Sequence, residues 1–367
     1  MGKKILNTRK KTLIGTWILG IIVFIDDFLN CLSVGAAIRP LSDEYKISRE
    51  MVAYIINSTG VTVCAIIPIS SWGAFMSGLM EKSGLTGGLS PFAAYCHSIP
   101  YMFYAIIAVI CVPFVALGIL PMFKNMREAE KRTLETGQVL SEESRKAILE
   151  GLEDEERLKD MPKRTLNFVL PILVVIGMTI VTDDMIIALV TAIILCFVMY
   201  IGQGLMSVLD FVDAMMKGFQ DMFGVIIMII TVYMLTGLNK MLGLNDFVTD
   251  ICSASVNPKL LPLIIFVGIG LLAFGSGSFW GLAAIAFPIV GSIVENLGLN
   301  PFLLSGAVIS AVAFGGHICM YSDTVVLTSA STQVTNSDYF RTSFPIIMAY
   351  PFAIGAILFL IAGCIML

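Results

Sequence analysis

The chain has 367 residues, of which 57% are hydrophobic and 14% are charged, and its mean hydropathy is +0.89. This apolar content is far above the average for soluble proteins and excludes a soluble enzyme. Of the 23 basic residues, five lie in residues 1–11 and ten lie between Lys124 and Arg164. Most membrane-length segments therefore carry no basic residue, which is typical of a polytopic protein in a lipid bilayer. The net charge of −4 is spread over loops on both sides of a bilayer, so it says nothing useful about nucleic acid or acidic partners. We expect the lipid bilayer and a small transported ion or molecule as partners, and no nucleic acid.

Long uncharged runs alternate with short charged segments along the whole chain. In chain order these runs are Thr12–Ile25, Phe28–Ile38, Met51–Met80, Ser83–Phe123, Thr165–Thr182, Met185–Leu209, Met222–Asn239, Leu260–Val294, Asn296–Ser322 and Thr342–Leu367. The first run follows five basic residues, as in a secretory signal, but it meets Asp26 and Asp27 instead of a cleavage site. We expect this segment to be retained in the protein, which would lie in an inner membrane. Its amino terminus would be on the cytoplasmic side.

The segment Thr12–Ile38 fits either one tilted helix of about 40 Å or two half-helices that meet at Asp26 and Asp27. The charges of the loops distinguish these two arrangements. A single span would place the ten-cation loop outside the cell, against the positive-inside rule. A re-entrant hairpin places every basic stretch in the cytoplasm except Lys82. We therefore predict a re-entrant hairpin that enters from the cytoplasmic side.

The segment Leu260–Val294 is too long for one span. Its 35 uncharged residues would form a helix of about 52 Å, whereas the hydrocarbon core is about 30 Å thick. At its centre lies Gly275-Ser276-Gly277-Ser278, where glycines permit a reversal and serines can satisfy freed backbone groups or bind a ligand. We predict a second re-entrant hairpin, entering from the outside.

The two hairpins predict an all-α polytopic membrane protein with inverted repeats and two discontinuous helices, as in secondary transporters. The first, partial repeat would be residues 1–121, and the second would be residues 167–367. Residues 122–166, rich in both charges, would form a solvated cytoplasmic linker. Three candidate spans precede the second hairpin within its repeat and none precedes the first, so we expect amino-terminal scaffold segments to be missing.

Asp26 and Asp27 are the main candidates for an ion-binding site. An ionised carboxylate at membrane depth costs about 2.5–3.5 kcal/mol, so it needs a partner. The functional interpretation is a cation or proton site, in which one of the two adjacent carboxyls is protonated. The alternative is a short external loop between ordinary spans, which is our interpretation of Asp183-Asp184.

Two polar clusters, Asn57-Ser58-Thr59-Gly60 and Ser322-Asp323-Thr324, interrupt long apolar runs. Each follows a hairpin by one connecting segment, so we predict a helix break at each, with oxygen ligands for a small cation. The alternative is ordinary Ser and Thr side chains that bond back to their own helix. His317 would either titrate or serve as a satisfied hydrogen-bond partner. Trp72 and Trp280 are expected to pack the hairpins.

Several motifs, in order and over essentially the whole chain, resemble sodium/proton antiporters of the NhaC type. They are Phe24-Ile25-Asp26-Asp27-Phe28-Leu29-Asn30, Arg39-Pro40-Leu41-Ser42-Asp43, Ile47-Ser48-Arg49-Glu50, Ala53-Tyr54-Ile55, Ser58-Thr59, Pro68-Ile69-Ser70-Ser71-Trp72-Gly73, Gly277-Ser278-Phe279-Trp280-Gly281, Phe314-Gly315-Gly316-His317, Ser322-Asp323-Thr324 and Arg341-Thr342. The resemblance implies membership of the ion transporter superfamily, with an elevator-like transport domain formed by two hairpins and two broken helices. It also implies sodium and proton exchange, or exchange of an organic anion such as malate for lactate, and it suggests a homodimer.

The chain departs from the family pattern at two positions that usually carry carboxylates. It has Asn57-Ser58-Thr59 in place of Asp-Ser-Thr, and Gly315-Gly316-His317 in place of Gly-Asp-His. Proton coupling would then depend on Asp26, Asp27 and Asp323.

The sequence thus predicts a secondary transporter that exchanges Na⁺ for H⁺ by alternating access, without a cofactor. The candidate ion-binding residues are Asp26, Asp27, Asn30, Asn57, Ser58, Thr59, Ser276, Ser278, His317, Ser322, Asp323 and Thr324, with Asp27 and Asp323 as the Na⁺ ligands. Within transport, the alternative substrate is a small organic anion or amino acid. Two further alternatives are a non-transporting remnant and an intramembrane protease that would use Asp26 with Asp323.

Overall fold

The computed structural model describes residues 6–151, 166–182, 185–220, 234 and 257–367. The regular structure in these ranges is helical, which confirms the all-α class. The chain divides into two compact units, one formed by Met1–Leu149 with Val232–Leu367 and the other by Glu150–Thr231. The predicted span Met222–Asn239, apart from residue 234, and the Asp183-Asp184 loop lie outside the described residues.

Serine and threonine side chains mark the start of several helices, because their oxygens accept from the free amides of the first turn. The larger unit begins with α1 (Arg9–Ile22), α2 (Asp27–Glu44), α3 (Arg49–Ile66), α4 (Ser71–Lys82), α5 (Pro91–Ser98), α6 (Phe103–Ala116), α7 (Lys124–Thr136) and α8 (Glu142–Gly151). The smaller unit contains α9 (Leu166–Thr182) and α10 (Met185–Gly202), which pack against each other. The larger unit continues with α11 (Leu261–Ser276), α12 (Phe279–Leu297), α13 (Pro301–Ile318), α14 (Asp323–Thr332), α15 (Asn336–Ile347) and α16 (Ala353–Met366), with a π-helical segment, Met348–Phe352, before α16.

The described residues include four helical segments long and apolar enough to cross a bilayer. These are Pro258–Ser276, Phe279–Leu297, Pro301–Thr332 and Asn336–Met366. Two bent pairs raise the number to six if each pair is one span: α3 with α4, at 44°, and Pro91–Tyr101 with α6, at 56°. The chain is a multi-pass membrane protein.

The predicted break at Asp26-Asp27 is confirmed, because α1 ends at Ile22 and α2 begins at Asp27. The Asn30 side-chain amide donates to the main-chain oxygens of Gly20 and Val23, each at 2.6 Å. Ten residues of continuous helix would separate Gly20 from Asn30 by about 15 Å. The chain therefore bends sharply here, and the re-entrant path across the membrane stays a prediction.

The predicted break within Gly275–Ser278 is also confirmed. Helix α11 ends at Ser276, and Gly277 follows in the left-handed conformation with a φ of 68°. Glycine adopts this conformation without the strain that a Cβ would cause, so it ends the helix. Helix α12 then begins at Phe279.

The interruption predicted at Asn57–Gly60 is wrong. Helix α3 runs through it to Ile66, and the Thr59 hydroxyl donates to the Ile55 carbonyl of the same helix at 2.9 Å. Such back-bonding satisfies a polar side chain without opening the helix. The break lies further on, at Ile67–Ser70, where Pro68 offers no amide to continue the helix.

The second broken helix is confirmed at Ser322-Asp323, since α13 and α14 are separated by Cys319–Ser322. The two breaks share a local structure. Ser70 Oγ donates to the oxygen of Cys64 at 2.6 Å, and Ser322 Oγ donates to the oxygen of Gly316 at 2.7 Å. Each serine is six residues after its acceptor and caps the helix that follows.

The core of the larger unit is built around α3 and α13, in which nearly every residue is buried. The helix that follows each bend packs against a helix from the other half of the chain. Helix α2, after the first bend, packs against α14, and α12, after the second bend, packs against α4. The helix after each bend therefore contacts the second part of the broken helix from the opposite half of the chain.

The charged segment 122–166, expected to be a solvated linker, has a buried face on α7. Glu130 is buried, accepts from the amide and hydroxyl of Ser48 at 3.0 and 2.7 Å, and forms an ion pair with Arg9. Arg132 forms an ion pair with Glu50 at 2.8 Å. Helix α7 is thus attached to α1 and α3. Residues 152–165 lie outside the described part.

Candidate functional site

Asp27 is the central residue of the candidate site. It occupies the first position of α2, and its side chain is completely buried. The indole nitrogen of Trp72 donates to its Oδ2 at 3.0 Å, whereas Oδ1 meets no donor of acceptable geometry in the described part of the chain. Burial of a carboxylate is costly unless the group is paired or neutralised. A proton or a cation on the free oxygen would remove this cost.

Asn30 adds a second buried oxygen within the same helical turn. Its amide nitrogen is engaged by the carbonyls of Gly20 and Val23, and its Oδ1 has no donor among the described residues. A Cβ on Gly60 would lie 3.6 Å from both Asn30 Oδ1 and the main-chain oxygen of Asp27. The absence of a side chain at Gly60 lets α3 lie close to these oxygens and to Cys31 Sγ, which a Cβ would approach to 2.9 Å. Neutral oxygens are the type of ligand that coordinates Na⁺ in transporters.

Asp26 has a different environment from its neighbour. It is only half-buried, and its carboxylate accepts from the amide of Leu29 at 3.0 Å. This is the geometry of a helix N-cap, so Asp26 begins α2 and Asp27 is the buried member of the pair.

Three other candidates form a buried polar network where α3 crosses α13. Ser58 Oγ lies 2.8 Å from Nε2 of His317, and the hydroxyl of Tyr104 lies 2.7 Å from its Nδ1. The Asn57 amide donates to the main-chain oxygen of His317 at 2.8 Å and to the hydroxyl of Tyr339 at 2.7 Å. Both ring nitrogens of His317 are thus engaged. Thr59 bonds within α3 and faces α1, where its hydroxyl adjoins Gly20.

The candidates of the second half lie in contrasting environments. The hydroxyls of Ser322 and Thr324 donate to the Gly316 oxygen at 2.7 and 2.8 Å and thereby cap α13. Asp323 is exposed at the start of α14. Ser276 is exposed and bonds to Ala273 of its own helix, while Ser278 is half-buried. The two predicted Na⁺ ligands, Asp27 and Asp323, therefore differ completely in exposure.

Sequence reasoning missed three features of this site. Trp72 was expected to pack a hairpin, but it also donates to Asp27. Tyr104 and Tyr339 hold the network around His317. An indole directly after Ser70-Ser71, at the start of a helix, was the available signal for the first, whereas the two tyrosines carry no motif.

Among the described residues, no group of three or more His, Cys, Asp or Glu side chains is placed to hold a metal ion. The described part of α2 has instead one buried carboxylate oxygen, on Asp27, and one buried amide oxygen, on Asn30, that meet no donor. Such a set suits a monovalent ion that is bound and released.

Comparison with models of known protein families identifies the family of the chain. Residues 63–364 match the model of the Na⁺/H⁺ antiporter family. The chain belongs to the Na⁺/H⁺ antiporter family. This is a family of membrane transporters, not of enzymes, so the intramembrane protease alternative loses its support.

The chain is also similar to an uncharacterized protein of Haemophilus influenzae. The two are 27% identical over 362 residues, an alignment that covers 88% of this chain and 66% of that protein. The chain therefore spans about two thirds of that relative's length.

Proposed function

We propose that the chain exchanges Na⁺ for H⁺ by alternating access and that both ions compete for Asp27. The observation that carries this proposal is the buried carboxylate at the first bend, in a chain of the Na⁺/H⁺ antiporter family. One of its oxygens meets no donor among the described residues. An ionised carboxylate at membrane depth costs about 2.5–3.5 kcal/mol. A proton or a sodium ion removes this cost, and one site that is neutralised by either ion exchanges them.

Asn30 Oδ1 and the main-chain oxygen of Asp27 would supply neutral ligands beside the carboxylate. Asp323, exposed at the start of α14, would be a surface carboxylate that attracts the cation. Asn57, Ser58 and His317 would hold α3 and α13 in register, and Thr59 would pack α3 against α1. The helix ends would be shaped by Asp26, Ser276, Ser278, Ser322 and Thr324.

Our proposal extends to inverted repeats whose hairpins enter from opposite sides of the membrane. The matching serine caps at Ser70 and Ser322 support it, as does the reciprocal packing of α2 on α14 and α12 on α4. The motifs from Phe24–Asn30 to Arg341-Thr342 support the NhaC-type subfamily and a homodimer. The basic residues before Thr12 support a cytoplasmic amino terminus in an inner membrane.

The proposal is tested with purified protein in proteoliposomes that contain a pH-sensitive dye. External Na⁺, Li⁺ or K⁺ is added, and the internal pH is followed. We expect a cation-dependent pH change that Asp27→Asn abolishes. Asp26→Asn is the matched control, because Asn caps a helix as well as Asp does and the Asp27 carboxylate is retained. A wild-type chain without any cation-dependent signal would overturn the proposal.

A further inference from the structure

An aromatic cluster connects the two predicted hairpins. Trp72 lies in the first turn of α4 and is completely buried. Its ring is stacked on Phe279, with centroids 5.3 Å apart and planes inclined by 15°. It also contacts Trp280 at 5.3 Å, and Phe75 meets Trp280 edge-on at 4.9 Å. Phe279 and Trp280 begin α12, directly after the second bend.

The other edge of the same indole reaches the first bend. Trp72 Nε1 donates to Asp27 Oδ2 at 3.0 Å, and the main chain supports the same approach, since the amide of Ser71 donates to the oxygen of Ile25 at 2.9 Å. The Trp72 side chain thus contacts Asp27, at the first bend, and also Phe279, the first residue of the helix after the second bend.

Gly316 provides the space for this arrangement. A Cβ on Gly316 would lie 3.1 Å from Cδ1 of Phe279, which is closer than ordinary van der Waals contact. The Phe279 ring therefore occupies the region into which a side chain from position 316 would extend. Where the NhaC-type pattern carries Asp, this chain places an aromatic ring that stacks on Trp72.

We propose that Trp72 is a positioning residue that links the Asp27 carboxylate to Phe279 and so joins the ion site to the second hairpin. This inference rests on the proposed function. The indole N–H holds Oδ2, which leaves Oδ1 as the oxygen for the transported ion. Its stacking on Phe279 transmits any displacement of the second hairpin to the carboxylate.

The inference predicts a specific effect on pH dependence. A neutral N–H donor stabilises the ionised carboxylate, so its removal favours protonation in competition with Na⁺. Trp72→Phe removes the donor and keeps an aromatic ring for stacking. We expect the pH of half-maximal Na⁺-dependent exchange to rise by about one unit, which corresponds to one hydrogen bond.

The matched control is Trp17→Phe. Trp17 Nε1 donates to the Val109 oxygen at 3.0 Å, so this substitution also removes one indole hydrogen bond, but away from Asp27. Its pH profile should match that of the wild type. Phe279→Leu keeps the indole donor and removes the stacked ring, so it should lower the maximal exchange rate at least threefold with a smaller shift in pH.

A second measurement tests the inference if the Trp72→Phe variant folds poorly. The double variant Trp17→Phe/Trp280→Phe leaves Trp72 as the only tryptophan, because the chain has three. Na⁺ should change its fluorescence emission, and adding Asp27→Asn should abolish that change. An exchanging protein whose Trp72 emission does not respond to Na⁺ would overturn the inference.

The outcomes separate the two proposals. Wild-type protein that exchanges Na⁺ for H⁺, together with a Trp72→Phe profile that superimposes on it, refutes the positioning role alone. Wild-type protein without exchange refutes the proposed function and, with it, this inference. An alkaline shift in Trp72→Phe that Trp17→Phe does not show supports both.

Discussion

Ser58 Oγ and Nε2 of His317 lie 2.8 Å apart, although 259 residues separate them in the chain. The contact joins the middle of α3 to the end of α13, the two most deeply buried helices of the larger unit. Since Tyr104 engages the other ring nitrogen, His317 acts as a bridge between elements. Both ring partners come from the first half of the chain, whereas His317 itself lies in the second.

His317→Ala should destabilise the protein. It leaves the hydroxyls of Ser58 and Tyr104 without their partner and opens a cavity, for an expected loss of about 3 kcal/mol. The thermal unfolding midpoint in detergent measures this. His97→Ala is the control, because His97 is exposed, its ring nitrogen bonds to Ala93 of its own helix, and its ring is tilted against Phe302 at 5.4 Å. Equal midpoints for the two variants would contradict a bridging role.

Gly60→Ala should weaken Na⁺ binding while the helix persists. The added methyl group would lie 2.9 Å from Cys31 Sγ and 3.6 Å from Asn30 Oδ1, so it intrudes on the space beside the oxygens. We expect the Na⁺ concentration for half-maximal exchange to rise about tenfold, which corresponds to 1.4 kcal/mol.

Gly78→Ala is the matched control for this change, since Gly78 is also helical and nothing lies within 4 Å of its Cβ position. Alanine is favoured over glycine inside helices, so Gly78→Ala should keep its exchange and its unfolding midpoint. Unaltered Na⁺ dependence in Gly60→Ala would place the cation elsewhere.

Asn30→Asp should disrupt the first bend. A carboxylate accepts hydrogen bonds but cannot donate them, so the carbonyls of Gly20 and Val23 lose their donor. Two buried unsatisfied carbonyls and an added buried charge should cost about 3 kcal/mol. The unfolding midpoint and the exchange rate should both fall.

The comparison variant is Asn125→Asp, which removes an amide bond to the Arg341 oxygen at the surface. Water replaces a lost partner there, so little change is expected. If Asn30→Asp were as stable as Asn125→Asp, the bend would not depend on the Asn30 amide.

Glu130→Gln should loosen the attachment of α7. It removes the negative charge that faces Arg9 and receives the amide of Ser48, for an expected loss of about 2 kcal/mol. Limited proteolysis within residues 124–151 would detect the release of the helix. Glu128→Gln is the control, because Glu128 is exposed and pairs at 4.0 Å with Lys124, an interaction of little value in water. Equal cleavage rates would argue against the attachment.

Features determined by local sequence were predictable. Two adjacent aspartates inside one apolar run and a glycine-serine cluster inside another located both bends. Charge and glycine are unfavourable in the middle of a membrane helix, so their position alone indicated an interruption.

Features that depend on distant partners were not predictable. The polar side chain of Asn57 suggested a break in the helix. Its partners, the His317 oxygen and the Tyr339 hydroxyl, are 260 and 282 residues away, so the local sequence did not show that it is satisfied within an intact helix. The buried face of α7 was missed for the same reason, since Glu130 is satisfied by Ser48 and Arg9. Nothing in the sequence next to these side chains shows that a partner will satisfy them.

The two four-residue breaks also determine where helix dipoles end. Each leaves the amino terminus of a short helix, α4 or α14, inside the larger unit, and such an end carries about half a positive charge. Asp27 lies beside the start of α4 and in the first turn of α2. These dipoles partly offset its negative charge, so a sodium ion at the proposed site would meet a weakened field. Weak attraction favours a transporter, because an ion that is held too tightly is not released on the other side.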